Sequence, residues 1–410
     1  MRTIDACRSC WSENLTEFLD LGEHHLSDFR LENTPTPTCP LVAVICDDCM
    51  LVQLKHTAES SDMYHENYGF KSGVSDSIKN DLKDIVSTAL EYYDGPKSWL
   101  DIASNDGTLL SFVPNGIYRT GVDPISKYCE MAAEHADEII NDFFDAKDIS
   151  GSFDIITSIS CFYDMDNPNK FVADVKDVMS EDGIWVIQQN YLLPTLQLNA
   201  VDNFCAEHLE YYTLMSLEVL LNRHGLQVID LSTSMVNGGS LRTIVAKTGV
   251  YMPSENVERQ RNIEFDFELD TMNPYERFAS EVHSNLKDLK KLVDEVNKDG
   301  QTVAILAAST RGSTIWQACG FGPDDIAYAV ERNPEKVGKY FNAIGIPIIS
   351  EEEAHLDNPD YMIVGPWFFA FPEIIERERD YVNGGGSLVV PLPRLVIINE
   401  GNIDGYTTAP

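Results

Sequence analysis

The stretch Trp99–Asp123, WLDIASNDGTLLSFVPNGIYRTGVD, decides the fold. Its apolar start at residues 98–103 predicts a strand buried in a parallel sheet, and Ser104–Gly107 predicts a tight loop before a helix. A second strand at 118–122 ends in another acid. This order is the first unit of a doubly wound α/β domain, whose ligands bind at the carboxyl ends of the strands.

The composition of the loop distinguishes between cofactors. A dinucleotide site needs Gly-x-Gly-x-x-Gly so that the backbone can approach a pyrophosphate, whereas this loop contains only Gly107. S-adenosylmethionine has no phosphate but carries an ammonium group, which favours an acid at the strand end and polar groups in the loop. Asp101, Asn105 and Asp106 fit that need. Asp123, 22 positions after Asp101, is the expected ligand of the ribose hydroxyls.

The following segments continue the same sheet. Further strands are predicted at 138–140, 153–159 and 183–188, with a helix at 167–180. Asp142 and Phe143 follow one of these strands, where we expect them to contact the adenine. The segment 225–247 predicts an antiparallel hairpin that closes the sheet, because Asn237-Gly238-Gly239 is a turn sequence. Together these features predict a methyltransferase sheet.

The N-terminal segment contains two Cys-x-x-Cys pairs, Cys7 with Cys10 and Cys46 with Cys49. The odd total of nine cysteines argues against a disulfide framework. The two-residue gap lets both thiolates of each pair face one tetrahedral zinc ion, and such a closed site would fold a small module. Chance pairs or a redox Cys-x-x-Cys are the alternatives. Cys39 is nearby but lies outside both pairs.

The charge of the chain limits its partners. It has 30 basic and 66 acidic residues, a net charge of −36, which repels phosphate backbones and anionic lipid surfaces. We therefore expect neither a nucleic acid nor a membrane as partner. The sequence contains no apolar run of membrane-spanning length and no signal peptide, so a cytoplasmic location is expected. A length of 410 residues predicts two or three domains.

The segment Glu207-His208-Leu209-Glu210-Tyr211-Tyr212 lies between the sheet and the closing hairpin. An imidazole beside tyrosine hydroxyls is suited to removing a proton next to a carbonyl group and to holding the resulting enolate. A histidine among aromatic residues is, however, more often a packed and hydrogen-bonded residue. The residues alone leave both interpretations open.

The C-terminal third predicts a second α/β domain. Residues 302–314 contain a strand, the small-residue loop Ser309-Thr310-Arg311-Gly312 and the start of a helix, where free N–H groups and an arginine converge on an anion. Further strands are predicted at 326–330, 361–364 and 387–391. Trp367 follows one of them and is a candidate substrate contact. The acidic stretch from residue 253 to 274 has no clear period and predicts a linker.

The order of these motifs resembles a known family. Paired cysteines before Leu51-Val52-Gln53-Leu54, the aspartate-rich loop, Glu207-His208-Leu209, Gly238-Gly239-Ser240-Leu241-Arg242 and a distinct C-terminal third are similar to the bacterial nucleotide-sugar C-methyltransferases. The resemblance implies a zinc-binding module at 1–60, a methyltransferase domain at 61–250, a linker at 251–275 and a Rossmann-like sugar-nucleotide-binding domain at 276–410. S-adenosylmethionine and structural zinc are the implied cofactors.

The resemblance also implies the chemistry. The family's acceptor is a nucleoside-diphosphate 4-keto-6-deoxysugar, which is methylated at C3. His208 would be the base, Glu207 would orient it or act as an acid, and Tyr212 or Tyr68 would hydrogen-bond the enolate oxygen. Substrate contacts are expected at the loop after the first strand of the C-terminal domain and at three further residues, Asn333, Lys336 and Trp367.

Five positions depart from the family pattern. The family tends to have Gly at Ala103, Tyr at Cys205 and Phe70, and His at Asn237 and Phe368. Ala103 is small enough for the cofactor to approach. The other changes remove hydroxyl and imidazole groups that would face the sugar. They keep open an O-methyltransferase, in which His208 deprotonates a hydroxyl, and a binding or assembly protein that retains the folds.

Overall fold

The computed structural model describes residues 1–59, 71–365 and 371–406. It is a mixed α/β structure in which two large sheets, of seven and eight strands, accompany a smaller N-terminal sheet. None of the helices within the described ranges combines the length and apolar character that crossing a membrane requires.

The strands of the N-terminal module pair antiparallel, and they do not all belong to one sheet. They are β1 (Arg2–Thr3), β2 (Leu15–His25), β3 (Phe29–Arg30), β4 (Thr38–Cys46), β5 (Val52–Leu54) and β6 (His56–Thr57). β4 pairs with β2 on one side and with β5 on the other. The long spacer between the two cysteine pairs is therefore folded as β2, β3 and β4.

The central domain has the sheet that Trp99–Asp123 predicts. The strands of this domain are β7 (Ser98–Ile102), β8 (Tyr118–Val122), β9 (Glu138–Ile140), β10 (Phe153–Ile159), β11 (Met179–Asn190), β12 (Glu210–Tyr211), β13 (Leu226–Ser234) and β14 (Ser240–Lys247). All of them except β12 belong to the seven-stranded sheet. Its helices are α1 (Asp76–Tyr92), α2 (Thr108–Phe112), α3 (Ser126–Ala132), α4 (Pro168–Val178), α5 (Leu192–Gln197) and α6 (Leu214–Arg223). The strand order is β13-β14-β11-β10-β7-β8-β9.

Strand direction in this sheet locates the ligand site. β7, β8, β9, β10 and β11 are parallel, and β14 runs antiparallel between β11 and β13, as the predicted hairpin requires. Within the sheet, β8 and β9 lie on one side of β7, and β10 and β11 lie on its other side. In open α/β sheets such a switch in strand order creates a crevice at the carboxyl ends of the strands. The cofactor loop lies at this point.

The C-terminal domain contains the second large sheet, whose central strands are parallel and whose edge strands are antiparallel. Its strands are β15 (Val303–Leu306), β16 (Ala329–Glu331), β17 (Tyr340–Phe341), β18 (Ile346–Ser350), β19 (Tyr361–Val364), β20 (Ser387–Val390) and β21 (Val396–Ile398). The helices that precede or belong to it are α7 (Glu255–Asp266), α8 (Asn273–Lys298), α9 (Thr310–Ala318), α10 (Glu351–Asp357), α11 (Phe371–Arg377) and α12 (Arg379–Asn383). The strand predicted at 326–330 begins later, at Ala329.

The segment 251–275, predicted to be an irregular linker, is largely helical. α7 occupies Glu255–Asp266, and Ser254 caps its first turn by accepting the Asn256 N–H. Only a few positions of this helix are apolar, so the sequence has little helical periodicity. Glu264 is nevertheless buried, because it accepts hydrogen bonds from the Tyr191 hydroxyl and from the first N–H groups of α6. The segment therefore packs against the central domain.

Two short strands connect the three units. β3 of the N-terminal module pairs with β17 and forms an edge of the C-terminal sheet. β12 of the central domain pairs with β5 and joins the N-terminal sheet. Each strand has two residues, too few to show any periodicity in the sequence. The N-terminal module thus contacts both α/β domains through backbone hydrogen bonds.

The net charge of −36 leads to a prediction about salt. Repulsion among the excess carboxylates destabilises the compact state, and it is screened when the Debye length falls from roughly 10 Å at 0.1 M salt to roughly 3 Å at 1 M. We expect the Tm to rise steadily when KCl is increased over this range in a thermal-unfolding experiment. A Tm that falls or stays constant would contradict this electrostatic interpretation.

Candidate functional site

The four paired cysteines converge on one point. The Sγ atoms of Cys7, Cys10, Cys46 and Cys49 all lie within 4.8 Å of one another, with 3.6 Å between Cys7 and Cys49 and 3.4 Å between Cys10 and Cys46. A tetrahedral zinc ion with Zn–S bonds of about 2.3 Å holds its sulfurs about 3.8 Å apart. The cluster therefore fits a structural zinc ion with four thiolate ligands and no open coordination position.

Both cysteine pairs adopt the same tight turn. The residue after each pair, Trp11 or Met50, has a left-handed backbone, with φ of 62° and 57°. The N–H of Trp11 donates to the Cys7 carbonyl at 2.9 Å, and that of Met50 donates to the Cys46 carbonyl at 2.8 Å. This backbone is costly for residues other than glycine. A bound metal offsets such a cost by fixing both turns.

The central domain holds the first of these turns. Asn169, near the start of α4, donates to the carbonyls of Arg8 and Ser9 at 2.7 and 2.8 Å. Gln53 of β5 donates to the Cys7 sulfur at 3.3 Å. The cysteine cluster is thus bonded to the catalytic domain as well as to its own module.

The loop after β7 contains left-handed backbone positions, as the glycine in its sequence indicates. Ala103, Asn105 and Gly107 have φ of 60°, 49° and 76°. A Cβ at Gly107 would lie 2.7 Å from the Cα of Ala132 in α3, so only glycine fits at this position. Two side chains of the loop accept N–H groups from the preceding segment: Asn105 from Ser72 at 3.0 Å and Asp106 from Gly73 at 2.9 Å.

Buried polar atoms near this loop fit the ammonium end of S-adenosylmethionine. Burial raises the pKa of Asp101 to about 7, with the Thr157 hydroxyl donating at 2.7 Å and the Asp123 charge nearby. A ligand ammonium group would return this carboxyl to its charged form. The buried Ser104 hydroxyl has no partner within the described residues, as expected for a group that faces a ligand.

Asp123 ends β8 and is 4% exposed. Its two carboxylate oxygens accept the N–H groups of Asn105 and Ile125, each at 2.9 Å. Each oxygen keeps a second lone pair for a ribose hydroxyl. Asp142 and Phe143, the expected adenine contacts, are exposed at the carboxyl end of β9. The structure thus places all predicted cofactor residues along the carboxyl ends of β7, β8 and β9.

Replacing Asp123 by asparagine tests its assignment. The amide can still accept at one atom, but its NH₂ group would face a backbone donor and could not accept a ribose hydroxyl. We expect the affinity for S-adenosylhomocysteine, measured by calorimetry, to fall by roughly tenfold or more. Glu130→Gln, an exposed change on α3, is the control. Equal affinities of the two variants would exclude Asp123 from the cofactor site.

His208 lies in the turn between α5 and β12. Its Nδ1 is 3.0 Å from the Asn203 carbonyl oxygen. A carbonyl only accepts, so we assign the proton to Nδ1, which leaves the lone pair on Nε2. Burial, together with the positive charge of Arg311, lowers the pKa of His208 to about 4. The imidazole is therefore neutral at physiological pH.

The structure corrects the assignment of the neighbouring tyrosine. Tyr212 stacks on Phe162 at 5.3 Å, and its pKa is raised by burial, then by Glu210 and the Cys7 thiol, so it faces the cysteine cluster. Tyr211 makes a different contact, because its ring stacks on Phe204 with centroids 4.2 Å apart. Burial and Cys205 raise the pKa of Tyr211, whose hydroxyl lies near the backbone N–H of Cys205 and makes no hydrogen bond of good geometry within the described residues.

The other residues predicted for catalysis are partly accounted for. Burial raises the pKa of Glu207, which lies beside the Cys205 thiol. Tyr68 lies outside the described residues, as do Phe70, Trp367 and Phe368. The sequence offered no periodicity that separates Tyr211 from Tyr212, because β12 ends at Tyr211.

A short connection after β10 joins the cofactor loop to His208. The Cys161 thiol donates to the Ile102 carbonyl at the end of β7, at 3.7 Å. Two residues later, the ring of Tyr163 packs edge-on against His208 with centroids 4.4 Å apart, and its carbonyl accepts the Leu209 N–H. His208 is therefore held next to the end of β7, where the cofactor is expected.

The predicted anion loop of the C-terminal domain meets the His208 turn. Ser309 caps α9 by accepting the Gly312 N–H at 3.0 Å. Arg311 donates to the Asp202 carboxylate at 2.6 Å and to the Asn237 carbonyl at 2.7 Å. This guanidinium therefore connects the two α/β domains, whereas the sequence predicted that it would converge with the N–H groups on an anion. Asp202 was not predicted.

The positive charge beside this helix start comes from Lys336. Its Nζ donates to the Ala308 carbonyl at 2.8 Å, next to Ser309 and Thr310. Asn333 precedes it and accepts the Glu335 N–H at 3.0 Å. Burial, then Asp106, Asp123 and Glu335, raises the pKa of Tyr128 to about 12. The segment 333–336 thus approaches the cofactor loop from the C-terminal domain.

A cavity of about 500 Å³ lies elsewhere, between the N-terminal module and the C-terminal domain. Residues such as Glu23, His25, Gln317 and Asn342 line it. None of the predicted site residues does. We therefore locate the site from the strand ends and the buried polar atoms there.

Comparisons with known proteins match the chain in three successive segments. Three family models match in succession: a zinc binding domain over residues 7–64, a methyltransferase domain over 76–231 and a C-methyltransferase C-terminal domain over 235–393. C-methyltransferase NovU of Streptomyces niveus is 28% identical over 414 residues, which cover 97% of this chain and 98% of the relative.

Solved structures match less than half of the chain. The plantazolicin methyltransferase BpumL in complex with SAH is 16% identical, with 41% of this chain and 82% of that chain covered and a TM-score of 0.34. An S-adenosylmethionine-dependent methyltransferase from Clostridium acetobutylicum is 14% identical, with 42% and 92% covered and a TM-score of 0.34.

Proposed function

We propose that this chain methylates C3 of a nucleoside-diphosphate 4-keto-6-deoxysugar. It belongs to the S-adenosylmethionine-dependent C-methyltransferases, which have zinc-binding, methyltransferase and C-terminal domains. The observation that carries this proposal is the position of His208. On one side, the turn that holds it packs against Tyr163, in the segment after β10 whose Cys161 thiol bonds the end of β7; on the other side, it accepts a hydrogen bond from Thr314 of α9 in the C-terminal domain.

His208 has the properties of the base. Its Nδ1 proton is held by the Asn203 carbonyl, so Nε2 is the atom that accepts a proton. The carbonyl at C4 of a keto sugar acidifies the proton at C3. Removing that proton leaves an enolate, whose C3 carbon is the nucleophile. S-adenosylmethionine, when bound, supplies an electrophilic methyl group. Holding the two reactants in line is the larger task of the protein.

The enolate oxygen needs a hydrogen-bond donor. Among the described tyrosines of this turn, Tyr211 has a buried hydroxyl without a partner on the side of Cys205 and Glu207. Burial raises the pKa of Glu207, which favours a protonated carboxyl that can donate. We assign Tyr211 and Glu207 to the oxygen at C4 and His208 to the proton at C3.

The C-terminal domain supplies a site for the diphosphate. The first N–H groups of α9 and the Lys336 ammonium lie close together, since Lys336 bonds the carbonyl just before the capping Ser309. Helix N-termini and lysines both favour phosphate. An anion bound here also lies near Arg311, whose charge is one of the two causes of the low His208 pKa. Nucleotide binding would therefore raise the basicity of His208.

Incubation with methyl-labelled S-adenosylmethionine and a panel of nucleotide sugars tests the proposal. We expect label in a nucleoside-diphosphate 4-keto-6-deoxysugar and none in the same sugar after reduction of its C4 carbonyl. Transfer to the reduced sugar as a methoxy group would instead identify an O-methyltransferase. The absence of transfer to any nucleotide sugar, with the cofactor bound, would exclude the proposed acceptor.

A further inference from the structure

Gln189 is a buried side chain that the chemistry above does not use. It is 1% exposed, and neither its Oε1 nor its Nε2 has a hydrogen-bond partner within the described residues. A side-chain amide can make four hydrogen bonds, and burying one that makes none opposes folding. A buried amide without partners in a native fold requires an explanation, and one explanation is a ligand that completes its hydrogen bonds.

The adjacent residue shows which side of the sheet Gln189 faces. Gln188 accepts from Arg242 at 2.8 Å and donates to Asp81 of α1 at 2.5 Å. Gln189 points to the opposite side, because side chains alternate along a strand. On that side the neighbouring Trp185 packs edge-on against Phe162 at 5.4 Å. This is the side of the sheet that bears the His208 turn.

Gln189 also lies at the end of the sheet where the reaction is expected. It is the penultimate residue of β11, at the carboxyl end where ligands of such sheets bind. The next residue, Asn190, donates to the Asn203 side chain at 3.3 Å, and the Asn203 carbonyl holds His208. One residue further on, the Tyr191 N–H donates to the Gly239 carbonyl. The end of β11 is therefore connected to the turn that holds His208 and to the hairpin turn before β14.

Other polar atoms around these turns lack partners too. Within the described residues they include the Asp202 Oδ1, the hydroxyls of Tyr211 and Tyr212 and the Arg311 Nε. Asp202 and Arg311 bond each other through different atoms, so the unpaired atoms remain for another molecule. Unpaired donors and acceptors concentrated near His208 are the complement of a ligand rich in oxygen.

We propose that Gln189 contacts the acceptor directly, its Nε2 donating to one oxygen and its Oε1 accepting from a hydroxyl, and so helps to select the acceptor. The assignment rests on the proposed function, in which the acceptor is a sugar. Gln189 supplies hydrogen bonds in a site where Cys205 and Ala206 offer none to an oxygen. A glutamine amide can bind a hydroxyl in either direction, which suits a sugar ring.

The test compares Gln189→Leu with Gln188→Leu, a matched change one residue away. Gln188→Leu removes two observed hydrogen-bond partners and is expected to lower the Tm. Gln189→Leu removes unpaired groups, so its Tm should equal or exceed that of the wild type, and its affinity for S-adenosylhomocysteine should be unchanged. Its kcat/KM for the acceptor should fall by roughly tenfold or more, because the site is built to hydrogen-bond that acceptor.

The two readouts separate this inference from the proposed function. A Gln189→Leu Tm as low as that of Gln188→Leu would show a structural amide and overturn the inference, whatever the acceptor. Unchanged kcat/KM would overturn it as well. If the wild type methylates no keto sugar, the proposed function fails. A Tm of Gln189→Leu that is maintained or raised, with cofactor affinity intact, still supports an amide that faces a ligand.

Discussion

His208→Ala is expected to lower methyl transfer by about 10²–10⁴-fold, the usual contribution of a general base, while S-adenosylhomocysteine binds with unchanged affinity. The reason is that the two sets of residues lie on different segments: the predicted cofactor residues lie at the carboxyl ends of β7, β8 and β9, whereas His208 lies on the turn before β12. The measurements are single-turnover kinetics and calorimetry. His135→Ala, which changes a histidine of the same domain before β9, is the control.

Proton exchange isolates the step assigned to His208. In D₂O with S-adenosylhomocysteine in place of the methyl donor, the wild type should exchange the C3 proton of the keto sugar for deuterium, and His208→Ala should not. Exchange at the wild-type rate in the variant would show that another group is the base.

The pH profile of the free enzyme follows from the His208 pKa of about 4, against an ordinary value of 6.5. Burial disfavours the imidazolium, and the neutral imidazole is the active form. The acid limb of kcat/KM should therefore lie well below pH 6.5, with activity falling only as the pH falls toward 4. A circular dichroism titration separates this limb from acid unfolding. An acid limb at or above pH 6.5 would contradict the buried environment of His208.

Loss of zinc is expected to abolish turnover, although the cluster lies outside the reaction. β5 begins three residues after Cys49 and pairs with β12, which begins two residues after His208. Zinc bound by structural thiolate sites contributes about 10–16 kcal/mol to the folding of small modules. Without it we expect the N-terminal sheet to melt and the His208 turn to lose its support. The parallel sheet should still bind S-adenosylhomocysteine.

Cys46→Ser and Cys39→Ser make the matched comparison for zinc. Cys39 is a buried thiol outside the cluster, so its variant should retain one zinc ion per chain, the Tm and the activity. Cys46→Ser should lose zinc, much of the Tm and turnover together. A Cys46→Ser variant with a full zinc content, or with wild-type turnover after losing its zinc, would disprove the coupling between cluster and turn.

Patterns that extend over many residues predicted the fold well. The apolar strand, the loop with Gly107 and the hairpin around Asn237–Gly239 have local causes: burial, a left-handed backbone and a tight turn. β3 and β12 were not predictable, because two residues show no period and their partners lie far away in the sequence. α7 was missed because its buried Glu264 is polar and is stabilised by tertiary hydrogen bonds.

The site was predicted less completely than the fold. Residue type and spacing identified the four cysteines, the cofactor loop and His208. Which tyrosine faces His208 depends on the register of β12, and that register is set by β5, about 160 residues earlier by the pairing of Glu210 with Gln53. The same applies to Gln188 and Gln189, which are identical in type. The two differ only in which face of the sheet they occupy. Gln188 faces α1 and makes hydrogen bonds there, whereas Gln189 faces the other side and has no partner within the described residues.

The position of the transferred methyl group tests the central claim most directly. With ¹³C-methyl S-adenosylmethionine and a nucleoside-diphosphate 4-keto-6-deoxysugar uniformly labelled with ¹³C, the product's methyl signal should be split by one-bond coupling to sugar carbon C3. A methyl signal without this coupling, at the chemical shift of a methoxy group, would contradict C-methylation and the enolate assigned to His208.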